Sequence, residues 1–203
     1  MKFSFVSATA ALVMMATLAG CGGKAQYTVQ GTILNLNNSG LVLTNNGDEL
    51  TVPSGATTFA FSKQISYGTD YNILVKTQPA HMTCSWQTVN SGSAGYNVSI
   101  SATLSCSQNT YTIGGQITGL TAAADGTVRT VTLANGSAGG SVALLSSAAT
   151  NGALDFTFST LVADGQTYGV TVVDPANGLS CTVTNGTGVM HETAVSNILV
   201  TCK

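Results

Sequence analysis

Charge is what this chain has least of. Only 7% of its 203 residues are charged, and six Lys and Arg stand against eight Asp and Glu for a net charge of -2. Arg129 is the single arginine. With no basic cluster, nothing is available to neutralise a run of phosphates, which excludes nucleic acid as a partner. Helix signals are missing as well. Beyond the N-terminal stretch no segment carries a capped amphipathic pattern, and Ala122-Ala123-Ala124 is too short to make one.

The chemical motifs are equally sparse. No Gly-x-Ser-x-Gly is present, and Gly139-Gly140-Ser141 is not followed by Gly-Lys-Ser/Thr. The two histidines, His81 and His191, lie far apart, and His191-Glu192 lacks the second histidine that a zinc-protease helix requires. Asp48-Glu49, the one adjacent carboxylate pair, closes a hairpin signal. Asp125-Gly126 and Asp164-Gly165 lack the alternating ligands of a calcium loop and read as turns. The expectation is a non-enzymatic protein with no catalytic residue, no cofactor and no metal. In place of these features the chain has 44% hydrophobic residues, 23 glycines and 30 threonines. That mix is too apolar and β-branched for disorder, and too rich in glycine for a helical bundle.

The first twenty residues read as an export leader. Lys2 supplies a positive start, Phe3 to Ala19 is almost wholly apolar or small, and the segment ends in Leu18-Ala19-Gly20-Cys21. Those four residues resemble the lipobox of bacterial lipoproteins. The resemblance implies removal of residues 1–20 and acylation of Cys21, with membrane lipid as the partner of that residue. Each buried methylene contributes about 0.8 kcal/mol, so several acyl chains on one cysteine would hold permanently. Gly22 after the cysteine points, by the same resemblance, to the outer membrane.

The remainder divides into two related units. Tyr27-Thr28-Val29-Gln30-Gly31-Thr32-Ile33 opens the first, and Tyr111-Thr112-Ile113-Gly114-Gly115-Gln116-Ile117 opens the second. Phe59-Ala60-Phe61 corresponds to Phe156-Thr157-Phe158, and Gly68-Thr69-Asp70-Tyr71 to Gly165-Gln166-Thr167-Tyr168. Within each unit the hydrophobic period is two: Tyr71, Ile73 and Val75 in one, Tyr168, Val170 and Val172 in the other. The longest alternation runs Val98, Ile100, Ala102, Leu104, Cys106. Asn45-Asn46-Gly47 is the best hairpin signal, with further turns at Asn37–Gly40, Asp125-Gly126, Asn151-Gly152 and Asn177-Gly178. Val142 to Ala149 fits either a strand or a brief helix.

This pattern predicts an all-β protein: two tandem small immunoglobulin-like or prealbumin-like β-sandwich modules after the leader. The expected divisions are a leader over 1–20, a lipidated tether over 21–26, modules over 27–106 and 111–203, and a linker over 107–110.

Four cysteines besides Cys21 allow three pairings. Repetition selects Cys84 with Cys106 and Cys181 with Cys202, because each copy must be able to close itself. Their parity with Leu104 and Val200 aims the sulfurs at the core. Export makes oxidation possible.

The body resembles repeats of bacterial, largely proteobacterial, envelope proteins. Gly40-Leu41-Val42-Leu43-Thr44-Asn45-Asn46-Gly47 and Gln78-Pro79-Ala80 carry the likeness in the first copy, and Cys181-Thr182-Val183-Thr184-Asn185-Gly186 carries it in the second. The resemblance implies an envelope module and supplies no catalytic residue. The expected function is structural, adhesive or in assembly, with an envelope protein or glycan as partner. The alternative is carbohydrate or peptide binding. Trp86, Tyr67 and Tyr96, the aromatics with no counterpart in the other copy, are its candidate contacts. A weaker third reading is a small envelope hydrolase or inhibitor.

Overall fold

The computed structural model describes residues 24–173 and 178–203. The leader and Cys21 lie outside the described residues, as does Asn177 of one turn signal.

Ten strands form the first unit: β1 (Gln26–Tyr27), β2 (Val29–Leu34), β3 (Val42–Asn45), β4 (Asp48–Thr51), β5 (Thr58–Ala60), β6 (Ile65–Ser66), β7 (Asp70–Thr77), β8 (Met82–Trp86), β9 (Ser91–Ser93) and β10 (Ile100–Gln108). Among the described residues, ten more form the second: β11 (Thr110–Tyr111), β12 (Ile113–Thr118), β13 (Thr130–Asn135), β14 (Ser141–Leu145), β15 (Leu154–Thr157), β16 (Val162–Ala163), β17 (Thr167–Val173), β18 (Cys181–Thr184), β19 (Thr187–Val189) and β20 (Val195–Cys202). The repeat seen in the sequence is therefore a repeat of topology. Sheets ordered β5-β2-β10-β8 and β4-β3-β7-β9 recur as β15-β12-β20-β18 and β14-β13-β17-β19, and the small pair β1-β6 recurs as β11-β16. Each unit is a two-sheet β-sandwich, and the chain is all-β with two of them in tandem.

The alternation explains why these segments are strands. Along β10 the inward residues Ile100, Ala102, Leu104 and Cys106 are buried, while serines and Thr103 face out or lie at the edge of burial. The pattern begins later than its sequence suggests. Val98, which continues the period, precedes the strand and is fully exposed. Inward side chains from both sheets meet in one core per unit. Val29, Ile33, Leu43, Ile73 and Leu104 centre the first, and Ile113, Ile117, Leu133, Met190 and Val200 the second. Each such buried aliphatic side chain contributes about 1.5–3 kcal/mol over leaving it in water.

The centre of one sheet in each unit is a parallel pair, β2 with β10 and β12 with β20. Here the backbones come very close. A Cβ on Gly31 would lie 2.0 Å from the Ala102 carbonyl oxygen, and one on Gly115 would lie 1.8 Å from that of Ile198. Phe59 and Phe156 pair across the sheet with these glycines, and the Phe59 ring lies where a side chain on Gly31 would go.

Asn45-Asn46-Gly47-Asp48 forms the expected two-residue hairpin, with Asn45 opposite Asp48. Asn46 and Gly47 take φ of 50° and 83°, the pair of left-handed conformations that such a turn requires. Val142 to Ala149 divides between β14 and a single 3₁₀ turn at Ser146–Ala148. Both disulfides close as repetition selects, Cys84 to Cys106 and Cys181 to Cys202. Each bridge joins directly opposed residues on neighbouring antiparallel strands of one sheet, rather than crossing between sheets.

Candidate functional site

The polar groups that converge in this structure do so where the two units meet. Residues 107–110 contain the end of β10 and the start of β11, with Asn109 between them. The Asn109 amide donates to the His81 carbonyl at 3.0 Å, and its own carbonyl accepts from the Asp164 amide at 2.9 Å. Gln108 Nε2 donates to the Asp164 carbonyl at 2.9 Å. Thr83 Oγ1 donates to Asn109 Oδ1 at 2.7 Å, which fixes the connecting residue from the first unit's side. His81 thus reaches the second unit from the loop before β8, a loop turned by its own left-handed backbone at φ 62°.

Asp164 is the buried centre of this joint, with 2% of its surface exposed. Its Oδ1 accepts the Glu192 amide at 3.0 Å, and its Oδ2 lies 3.2 Å from His81 Nδ1. The Glu192 amide, more than anything else, holds the Asp164 carboxyl below the usual aspartate range; burial opposes this, and His81 adds to it. His191 and Glu192 are exposed on the same loop. The ring of His81 also lies against Gly165, where an added Cβ would come within 3.1 Å of it. The constellation has a histidine and a carboxylate, but both are engaged in holding backbone and unit to unit. Among the described residues no group of three His, Cys, Asp or Glu side chains gathers in a way that could hold a metal ion.

The three unmatched aromatics do not form one platform. Trp86 is half-buried on β8, packed edge-on to Phe59 with ring centroids 6.0 Å apart, and belongs to the rim of the first core. Tyr67 and Tyr96 are 59% and 90% exposed on the loops after β6 and β9. Gly95, the neighbour of Tyr96, packs against the Tyr67 ring: a Cβ there would lie 2.3 Å from that ring and 3.1 Å from the Tyr27 hydroxyl. Tyr96 also borders an open groove of about 510 Å³ beside β9, with Val89, Ser91, Asn97 and Ser99 on its walls.

Other groups singled out in the sequence have structural duties. Glu49 pairs with Lys76 across the surface, with both side chains about half exposed, an arrangement worth little in stability. Asp125 Oδ1 accepts the Thr127 amide at 2.9 Å, which closes the expected turn. Two buried amides escaped the sequence reading. Asn45 Oδ1 accepts the Asn72 amide at 3.0 Å, and Asn135 Oδ1 accepts the Gly169 amide at 2.9 Å. Their equivalent positions in the two copies were the available signal, masked at Asn45 by its place in a turn motif.

No family model and no curated protein matches the chain. Solved structures do. The chain is similar to the Bacillus anthracis TIE protein, with 16% identity and a TM-score of 0.50 over 88% of this chain and 34% of that one. It thus spans about a third of that protein's length. It also matches a C-terminal fragment of the pilus adhesin SpaC from Lactobacillus rhamnosus GG (12% identity, TM-score 0.41, 87% and 96% of the two chains). A third match is the major pilin of Streptococcus pyogenes (12%, 0.29, 88% and 97%).

These matches correct two expectations. The expected likeness to a proteobacterial lipoprotein repeat is contradicted: the matching structures named above come from Gram-positive bacteria. The expected outer-membrane location through a lipid on Cys21 is contradicted by the same matches.

Proposed function

We propose that this chain is a structural or adhesive component of the cell envelope, without catalytic activity, that carries tension along its length and presents surfaces for assembly. The observation behind this reading is the position of the first and last long strands of each unit. They are parallel neighbours, with six paired residues in the first unit, from Val29 opposite Ile100 to Leu34 opposite Ser105. The chain enters at the start of β2 and leaves at the end of β10. A pull on the two ends therefore drags these strands past one another, and the whole ladder must yield together rather than one bond at a time. The second unit repeats the arrangement from Ile113 opposite Val195 to Thr118 opposite Thr201.

The bridges add a second layer of resistance. Each closes a loop that takes in the last strand and the stretch before it, between cysteines 22 apart in one unit and 21 apart in the other, and that loop cannot extend while oxidised. Such bridges form and persist in an oxidising, extracytoplasmic setting. Single-molecule pulling through the two ends tests the reading. Two distinct ruptures are expected, and reduction should lengthen the extension after each by about 70–80 Å. Extension without resolved rupture peaks would overturn it.

A second reading, glycan or peptide binding, draws support from the open groove beside Tyr96. It does not draw on Trp86, whose ring is engaged with Phe59. Binding to immobilised envelope glycans that Tyr96→Ser abolishes would move the assignment in that direction.

A further inference from the structure

The joint between the units describes what one unit's trailing end offers to the next unit's leading end. Because the two units share a topology, each has both ends, and one of each lies outside this joint. Backbone hydrogen bonds fix the equivalences. The Asp164 amide bonds to Asn109 as the Tyr67 amide bonds to Ala25, and the Gly165 amide bonds to Met190 as the Gly68 amide bonds to Ala94. Tyr67 thus stands where the second unit has Asp164, and, counting on from Ala94 and Met190, Tyr96 stands where it has Glu192. At the opposite end, counting back from Cys84 and Cys181, His81 corresponds to Gly178. Both are left-handed, with φ of 62° and 78°. Met82 and Leu179 are the buried residues that follow.

The differences between the ends inside and outside the joint are reciprocal. The internal joint sets a histidine against a small carboxylate. The other two ends set a bare glycine against two tyrosines, so bulk absent from one surface is present on the other. Tyr67 and Tyr96 are the exposed part of the leading end, and tyrosine is among the residues that carry interface energy. The trailing end is held in shape by reciprocal bonds between Ser180 and Lys203, at 3.0 and 2.9 Å.

Building on the assembly role proposed above, we infer that the Tyr67–Tyr96 end of one molecule docks on the Gly178 end of a second copy of this chain, continuing the tandem order of its own units. The contact is heterologous, one surface meeting a different one, so it extends into a row rather than closing into a dimer.

Sedimentation velocity of the purified protein from about 10 µM to 1 mM, with small-angle scattering on the same samples, tests this. Association that grows with concentration is expected, with a maximum dimension that about doubles at the first step. Tyr96→Ser should weaken it at least about tenfold. Gly178→His should do the same, and His81 shows that the backbone conformation accepts that residue. The combination Tyr67→Asp with Gly178→His rebuilds the His–Asp pair of the internal joint at these two ends, and should restore association that either change alone removes. Circular dichroism and melting temperature identify any variant that has merely unfolded. A monomer throughout the range, a dimer with no increase in length, or full association by folded Tyr96→Ser protein would each overturn the inference. A chain that ruptures twice under tension yet never self-associates would leave the proposed function standing and this surface refuted.

Discussion

Replacing both Cys84 and Cys106 by alanine separates the contribution of one covalent tie from everything else in the first unit. The bridge joins cysteines 22 apart in sequence, and the chain-entropy relation gives about 3.4 kcal/mol for a loop of that size. For a domain of this length, each kcal/mol moves the melting temperature by about 4–8 °C, so a fall of about 14–27 °C is expected. Loss of the two sulfurs, buried at 4% and 2% exposure, deepens the fall, since the neighbouring side chains relax only partly into the space. The assay is differential scanning calorimetry of wild type and variant under non-reducing conditions. The second unit has its own core and its own bridge, so only one of two transitions should move. A shift below about 5 °C would mean that the unfolded chain already holds these strands together without the bridge. A single transition that moves as a whole would refute separate folding of the units.

Three further outcomes follow from the geometry. Gly115→Ala forces a Cβ to within 1.8 Å of the Ile198 carbonyl oxygen, so β12 and β20 must separate; calorimetry should show the second unit destabilised by about 3 kcal/mol or more. Trp86→Ala removes a half-buried ring from Phe59, and urea unfolding should show a loss of about 2–3 kcal/mol from the first unit, with no change in any glycan binding. The Asp164 carboxyl sits below its ordinary value of 3.8, so its stabilising effect is present above the pH at which an unfolded aspartate ionises. That effect is lost as pH falls through the lower folded value. The Glu192 amide chemical shift should titrate with a midpoint below 3.8, and a midpoint at or above that value would refute the assignment.

Much of the fold was legible because each copy repeats the other. The period of two marked Ile73 and Val170 as inward, Asn46-Gly47 specified its turn by conformation alone, and recurrence of two cysteines per copy chose between three pairings. What escaped depends on distance along the chain. Gly31 and Gly115 read as flexible points within strands, since nothing local reveals that a parallel neighbour arrives some 70 or 80 residues later. Asp164-Gly165 reads as a turn and is one, but its carboxylate is buried by a loop from the other unit, and docking leaves no periodic trace. Val98 keeps the alternation of β10 and yet lies outside it, because the ladder with β2 begins only at Ile100. The Tyr67 and Tyr96 side chains stood out only as breaks in the repeat. The ends where they lie became visible once the hydrogen bonds of the joint fixed the equivalent positions.

The parallel pairing of β2 with β10 also sets a schedule for biosynthesis. A chain made from its N-terminus delivers β2 early, but its central neighbour is the last strand of the unit. Until β10 appears, the carbonyls and amides of β2 on that side have no ladder to join, and closing so long a loop is slow compared with forming a hairpin. Each unit therefore stays open until almost its final residue has been delivered. A chain interrupted before Ile100 or before Val195 leaves an unfinished unit with an exposed, ready-to-pair strand.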